Sequence, residues 1–176
     1  MKYDTTPKTL PKYVEREVII EMLEAARNHK MRNYIMILTL WKTGIRASEL
    51  IHLKKIHIKS DCIEIHLGKG KKDRVVPLAD DLNNILALFT DNIGKNDFLF
   101  SIGRRQLQNI VHTYEPEGFN VHPHTVRHSF AVYCLINGLN IRSLQKILGH
   151  SSLEYTAIYL DVVAKDVKED FKKIVW

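Results

Sequence analysis

With 176 residues and 45% hydrophobic content, the chain has material for one well-buried core and a small appended element, which excludes two independent domains. Lys and Arg number 26 against 20 acidic residues, a net charge of +6 with a pI near 9.3, and this balance favours a polyanionic partner such as nucleic acid. The longest apolar stretch, Tyr34 to Trp41, is broken by Thr39 and is far too short to span a membrane, and no signal peptide is visible, so a soluble cytoplasmic protein without membrane contact is expected.

Cys62 and Cys134 lie inside apolar patterns without metal-type spacing, as expected of reduced, buried thiols rather than a disulfide. Met1 to Tyr13 is polar, carries Pro7 and Pro11, and reads as a lead-in or linker stub ahead of a folded unit over 14–176. Val18, Ile19, Met22, Leu23 and Ala26 recur at helical spacing and predict a first helix from Val14 to about Asn28. A second, more buried helix follows from about Arg32 through Trp41 and stops at Gly44, a residue suited to a C-terminal cap. In the next segment, TGIRASELIHL, Arg46 opens a short helix with Glu49 one turn on. That pair is either a weak surface ion pair at i, i+3, or an arginine fixed by a carboxylate so that its fork can clamp a phosphate.

From Ile56 to Leu78 the period changes to two. The runs IHIK, CIEIHL and RVVPL are separated by Ser60-Asp61 and by GKGKKD, which predicts a small three-stranded antiparallel meander. Lys69 sits in the glycine-flanked second turn with Lys71, Lys72 and Arg74 close by. Such a turn is either simply solvated or a hairpin tip that extends a lysine into a nucleic-acid groove. It is not a P-loop, because it joins two strands and lacks the GxxxxGK[ST] spacing.

Helical signals resume with DDLNNILALFT, acidic at its front, and with GRRQLQNIVHTY. Arg104 and Arg105 stand where the helix dipole disfavours cations, which points to a task such as gripping backbone phosphate. Beyond a Pro-Gly loop lies HPHTVRHSFAVYCLINGLNIRSLQKILGHSSLEYTAIYL, with helices expected from about His124 to Ile136, Ile141 to Leu148 and Ser152 through Tyr159. His124 and Arg127 are at i, i+3 and face one way, Pro123 suits the helix start, and the helix N-terminus itself favours phosphate. His124 and His128 are at i, i+4, a spacing that suits zinc, but HTVRH lacks the Glu that HExxH requires after its first His, and the Arg127 guanidinium is a poor neighbour for a divalent cation, so no metal is expected. Tyr159 reads as a candidate phosphoryl acceptor near Arg and His groups; Tyr133 and Tyr155 read as packing residues, although periodicity alone does not separate Tyr155 from Tyr159. The tail from Val163 to Ile174 has an apolar side that needs a partner.

Taken together and in order, TGIRASEL, GKG followed by RVVPL, HTVRH, LGH and Tyr159 resemble the catalytic domain of the tyrosine recombinases, the phage integrase and Xer family, over about Leu10 to Tyr159. The resemblance implies a mixed α+β fold, mainly α-helical, with a small three-stranded antiparallel sheet. It implies site-specific recombination or integration through cleavage and rejoining of double-stranded DNA and a 3′-phosphotyrosyl intermediate, without metal, ATP or other cofactor. Arg46, Arg127 and His150 would balance transition-state charge, Lys69 would protonate the leaving oxygen, His124 would take the proton of Tyr159, and Glu49 would support Arg46. The count of nine residues from His150 selects Tyr159 as nucleophile and leaves Tyr155 as a packing or phosphate-contacting neighbour. Lys71, Lys72, Arg74, Arg104 and Arg105 are the expected DNA contacts. Family members assemble as tetramers on DNA and exchange a C-terminal segment, so a tetramer on DNA is expected, with a monomer compatible with the free state. They also carry a helical core-binding domain before the catalytic one, and the chain is expected to lack it. Two other activities fit the same residues: strand relaxation of the type IB topoisomerase kind, and non-catalytic DNA binding.

Overall fold

The computed structural model describes residues 11–66 and 73–163, apart from the Asp161 side chain. The expectations for Lys69, Lys71 and Lys72, for residues 1–10 and for the tail beyond Val163 therefore lie outside the described residues.

Helix α1 (Arg16–His29) buries Val18, Ile19, Met22, Leu23 and Ala26 on one side. This is the i, i+3, i+4 stripe of an amphipathic helix lying on a core. Helix α2 (Met31–Thr43) differs in kind, because every residue from Ile35 to Thr43 except Lys42 is buried. A helix that is apolar all round must be surrounded, and α2 packs against α1, α3 (Ala47–Ile51), α4 (Asp80–Thr90) and α6 (Pro123–Ile136). The hydroxyls of its two buried threonines, Thr39 and Thr43, donate to the carbonyls four residues earlier, so neither is left unpaired.

Gly44 ends α2 in the left-handed region at φ +60, with its N–H on the Leu40 carbonyl at 3.0 Å. A Cβ at this position would also collide with the Phe130 ring of α6. Glycine is thus required twice over, by backbone conformation and by the close approach of α6. The turn sends the chain directly into α3, whose first residues carry the site.

The fold is mainly α-helical with a small antiparallel sheet, as the resemblance implied. The sheet has two strands among the described residues rather than three: β1 (Cys62–Ile65) pairs with β2 (Arg74–Pro77) in the register Cys62 to Pro77 through Ile65 to Arg74. The expected first strand, IHIK, instead forms a 3-10 turn over Lys55–His57, and its backbone meets β1 through an isolated bridge between Ile58 and Ile63. Its first donors are used elsewhere: Ile56 N–H donates to the Lys95 carbonyl, next to Lys55 N–H on that of Asp97, and His57 and Ile58 N–H close the turn on Lys54 and Lys55. Alternation in sequence cannot reveal that a loop 40 residues later takes up those hydrogen bonds.

Helix α5 (Arg104–Thr113) buries Leu107 and Val111 and packs on α3 and α6. Helix α7 (Ile141–Leu148), capped at its start by the Asn140 side chain, leads through a left-handed Gly149 toward α8 (Glu154–Val163). One continuous core runs from Ile19 of α1 to Tyr159 of α8. Cys62 and Cys134 are free thiols, both pushed up in pKa by burial, Cys134 to about 11. No helix among the described residues is long and apolar enough to cross a membrane.

Replacing Gly44 by Ala is expected to lower the unfolding free energy by about 2–4 kcal/mol, the cost of a left-handed non-glycine residue plus an overpacked contact with Phe130. Urea unfolding followed by circular dichroism measures it, and a loss below about 0.5 kcal/mol would contradict the assigned turn.

Candidate active site

Three consecutive carbonyls at the end of α7 each receive a different arginine. Arg74 donates from Nε to the Ile147 carbonyl at 2.7 Å, Arg127 from Nη2 to that of Leu148 at 2.7 Å, and Arg46 from Nη2 to that of Gly149 at 3.3 Å. The last carbonyls of a helix have no partners of their own and carry the negative end of its dipole. Guanidinium groups, which only donate and are always charged, complement both properties. Gly149 makes the convergence sterically feasible: at φ +65, a Cβ there would stand 2.8 Å from Arg74 Cδ.

Arg46 is the N-cap of α3, and Glu49 in the first turn organises it. The Glu49 carboxylate accepts from Arg46 N–H at 2.6 Å and from Arg46 Nη1 at 3.0 Å, so one side chain closes the helix start and aims the guanidinium. It also accepts both Nη groups of Arg74 at 2.7 Å, a bidentate pair in which the side chains are only 5% and 8% exposed. Burial alone raises the Glu49 pKa, but the Arg74 hydrogen bonds, the Arg46 N–H and the two positive charges outweigh it and hold the carboxyl at about 2.

Arg74 therefore does not stand where the sequence reading put it. Expected among the DNA contacts, it is buried, and its Nε, Nη1 and Nη2 are engaged inside the protein. It braces Glu49 against α7 from β2. Its neighbours in the turn are lysines, but its partner Glu49 lies 25 residues back, and no local pattern announces that pairing.

Arg127, on α6, is 3% exposed and is held by the Gly44 carbonyl at 2.6 Å as well as by Leu148. Burial and the nearby Arg46 and Arg74 lower its pKa to about 10, so it stays cationic at neutral pH. His150 Nε2 lies 3.2 Å from Arg127 Nη2, and its Nδ1 lies 2.9 Å from Thr156 Oγ1. Because a guanidinium cannot accept, Nε2 is the acceptor and the ring proton is on Nδ1, facing Thr156. Burial together with Arg127 and Arg46 pulls the His150 pKa down to about 4, which agrees with this neutral form.

His124 is exposed at the first turn of α6, one turn from Arg127. Its pKa is lowered by burial and by the positive charges of Arg127, Arg46 and Arg104, which places Arg104 within the field of the same site. Arg105 is exposed beside it at the start of α5. Tyr159 is 1% exposed, and its hydroxyl lies 2.7 Å from Nδ1 of His128. Burial raises the Tyr159 pKa, partly opposed by Arg127. In the sequence His128 stands out only as half of a zinc-type pair, and the spacing of 31 residues to Tyr159 gives no sign of the contact. Among the described residues no three His, Cys, Asp or Glu side chains are arranged to hold a metal.

Tyr155 also departs from the packing role expected of it. It is 61% exposed, with its ring edge-on to His150 at 6.2 Å between centroids. Tyr133 is partly exposed and rests on Trp41, with centroids 5.2 Å apart. The structure thus brings Arg46, Glu49, Arg127, His150 and Tyr159 to the junction of α2, α3, α6, α7 and α8, with His124 and Arg104 at its rim.

Residues 12–166 match the model of the phage integrase family. The chain is 37% identical over 179 residues to the tyrosine recombinase XerA of Pyrococcus furiosus, covering 93% of this chain and 62% of that protein. Among solved structures it resembles a XerA recombinase (TM-score 0.79, 28% identity, 97% of this chain and 68% of the other). It also resembles the XerH site-specific recombinase bound to its difH substrate in a pre-cleavage complex (TM-score 0.71, 26% identity, 97% and 55%). The chain spans less than two thirds of the length of the curated relatives it matches.

The depressed Glu49 pKa fixes the sign of an acid effect. Stability from its ionised form is fully present above the ordinary value of 4.5 and is lost as pH falls toward about 2, an amount on the order of 3 kcal/mol. Unfolding free energies measured by urea titration at intervals from about pH 5 to pH 2 should fall more steeply for the native chain than for Glu49→Gln. Arg74→Ala, which leaves Glu49 buried without its bidentate partner, should cost about 3–5 kcal/mol at neutral pH. Parallel pH profiles for the native chain and Glu49→Gln would refute the assigned role.

Proposed function

The chain belongs to the phage integrase family, and we propose that it catalyses site-specific recombination by cutting and rejoining double-stranded DNA through a 3′-phosphotyrosyl intermediate. The observation that carries this reading is the convergence of Arg46 and Arg127 on the end of α7, next to the helix that carries Tyr159. Two fixed cations side by side suit the non-bridging oxygens of a phosphodiester, and their charge opposes the charge that develops as phosphorus becomes five-coordinate.

In this scheme the Tyr159 oxygen attacks the scissile phosphorus and its proton passes to His124. The bond to the 5′ oxygen breaks, and Lys69 protonates that oxygen. The phosphotyrosyl ester conserves the energy of the broken bond, so attack by the 5′-hydroxyl of another strand restores DNA without ATP. Arg127 and Arg46 hold the phosphate. His150, whose Nε2 accepts from Arg127, keeps that arginine in place beside the phosphate. Glu49 fixes the direction of Arg46.

The partner is double-stranded DNA, in keeping with the difH complex of XerH, and the protein acts in the cytoplasm as a tetramer assembled on that DNA. Lys69, Lys71 and Lys72 with Arg104 and Arg105 form the phosphate-tracking surface.

Tyr159→Phe is expected to abolish the covalent adduct with a nicked suicide DNA substrate on denaturing gels while changing DNA affinity by less than about 2-fold, since only a hydroxyl is lost. Tyr155→Phe should still form the adduct; the opposite pattern would move the nucleophile to the exposed tyrosine. Relaxation of supercoiled plasmid without sequence preference would identify a topoisomerase-type activity instead.

DNA affinity should fall roughly 10²–10³-fold between about 50 and 200 mM monovalent salt if five basic side chains each displace about one counterion. An affinity indifferent to salt, measured by fluorescence anisotropy, would contradict a phosphate-tracking surface.

A further inference from the structure

The nucleophile proposed above is not available to a phosphate in the DNA-free protein. Tyr159 is 1% exposed, and the one hydrogen bond of its hydroxyl among the described contacts joins it to His128 Nδ1 at 2.7 Å. A buried tyrosine hydroxyl requires such a partner, because leaving it unpaired costs its full desolvation. The partner is itself fixed: His128 projects from α6, which packs directly on α8, and the His124 ring one turn earlier meets it nearly at right angles, 86° between planes with centroids 5.2 Å apart. Tyr155, one turn before Tyr159 on the same helix, has no such seat and is 61% exposed.

We propose that His128 is the positioning residue of the nucleophile: its Nδ1 holds the Tyr159 hydroxyl beneath α8, and attack on DNA requires α8 to shift so that this hydrogen bond breaks. The inference rests on Tyr159 being the nucleophile. In the seated form the hydroxyl keeps its proton, because burial raises the phenol and lowers the imidazole, to about 4 for His128. A neutral imidazole therefore accepts and a neutral phenol donates. The seated hydroxyl is shielded from water and from stray phosphate esters, and DNA binding supplies the interactions that draw it out.

The test compares His128→Leu, which removes the acceptor, with His128→Asn, whose Oδ1 occupies about the position of Nδ1. The full chain without DNA is treated with tetranitromethane at neutral pH, and nitration of Tyr159 is followed by tandem mass spectrometry and normalised to Tyr155 in the same peptide. Tyr159 should be nitrated roughly 3- to 10-fold faster in His128→Leu than in the native chain, with His128→Asn close to native, as expected for loss and retention of one hydrogen bond. Equal rates in all three proteins, or His128→Asn behaving like His128→Leu, would overturn the proposal. If His128→Leu does not keep the native circular dichroism spectrum, His128→Ala serves in its place.

On a nicked suicide substrate, adduct should accumulate roughly 3- to 10-fold faster in His128→Leu. Slower accumulation that His128→Asn restores would overturn the holding role and make His128 a participant in the chemistry. Absence of adduct from the native chain on every substrate would count against the recombinase reading alone, because nitration reports the hydrogen bond without DNA.

Discussion

The C-terminal end of α7 is the contact on which the other parts of the site depend. Its carbonyls at Ile147, Leu148 and Gly149 bind Arg74, Arg127 and Arg46, three cations contributed by β2, α6 and the start of α3. Mutual repulsion would drive such a cluster apart in a low-dielectric setting. A helix end supplies aligned partial negative charge without a titratable group, so the arginines are held together while their net positive charge remains available to a ligand. Among the described residues that contact these arginines, Glu49 adds a full negative charge, and it sits on the side of Arg46 that also faces Arg74.

Glu49 and Arg74 are buried at a desolvation cost that a pair of apolar side chains would avoid. The geometry shows what the ion pair contributes instead. An apolar substitute would pack, but it could not accept from the Arg46 N–H and guanidinium while also engaging a second fork. The pair therefore links the β-hairpin, α3 and α7 into one frame through directional bonds. Beneath that frame, α2 supplies a non-polar floor on which α3, α4 and α6 rest, and the left-handed turn at Gly44 turns a backbone carbonyl toward Arg127.

The helices were legible because their signals are local. Val18 to Ala26 has the period of a surface helix, the run through Trp41 that of a buried one, and Gly44 and Gly149 mark the stops where the structure has left-handed residues. The separated motifs also pointed to Arg46, Glu49, Arg127, His150 and Tyr159, which the fold brings to one junction. What escaped was set by distant partners. IHIK alternates like a strand, yet the Ile56 N–H goes to the Lys95 carbonyl and those of His57 and Ile58 go back to Lys54 and Lys55. Arg74 follows a lysine-rich run in sequence but belongs to Glu49, His128 belongs to Tyr159, and Tyr155 resembles a packing residue yet lies in the open. Composition around each of these residues is uninformative, because the deciding group lies 25 or 31 residues or more away, or is solvent.

The hydrogen bond from Arg46 to the Gly149 carbonyl closes a loop of 103 residues. At a synthesis rate of roughly 5–20 residues per second, about 5–20 s pass on the ribosome between the appearance of this arginine and that of the carbonyl that receives it. Through that interval Arg46 and Arg74 can pair with Glu49 and bring β2 against α3, but Arg127, once made, has the Gly44 carbonyl and not yet that of Leu148 to receive it. The cationic cluster is therefore completed only once the end of α7 has emerged, and a nascent chain without that helix end has no finished phosphate cradle with which to seize the nucleic acid around it.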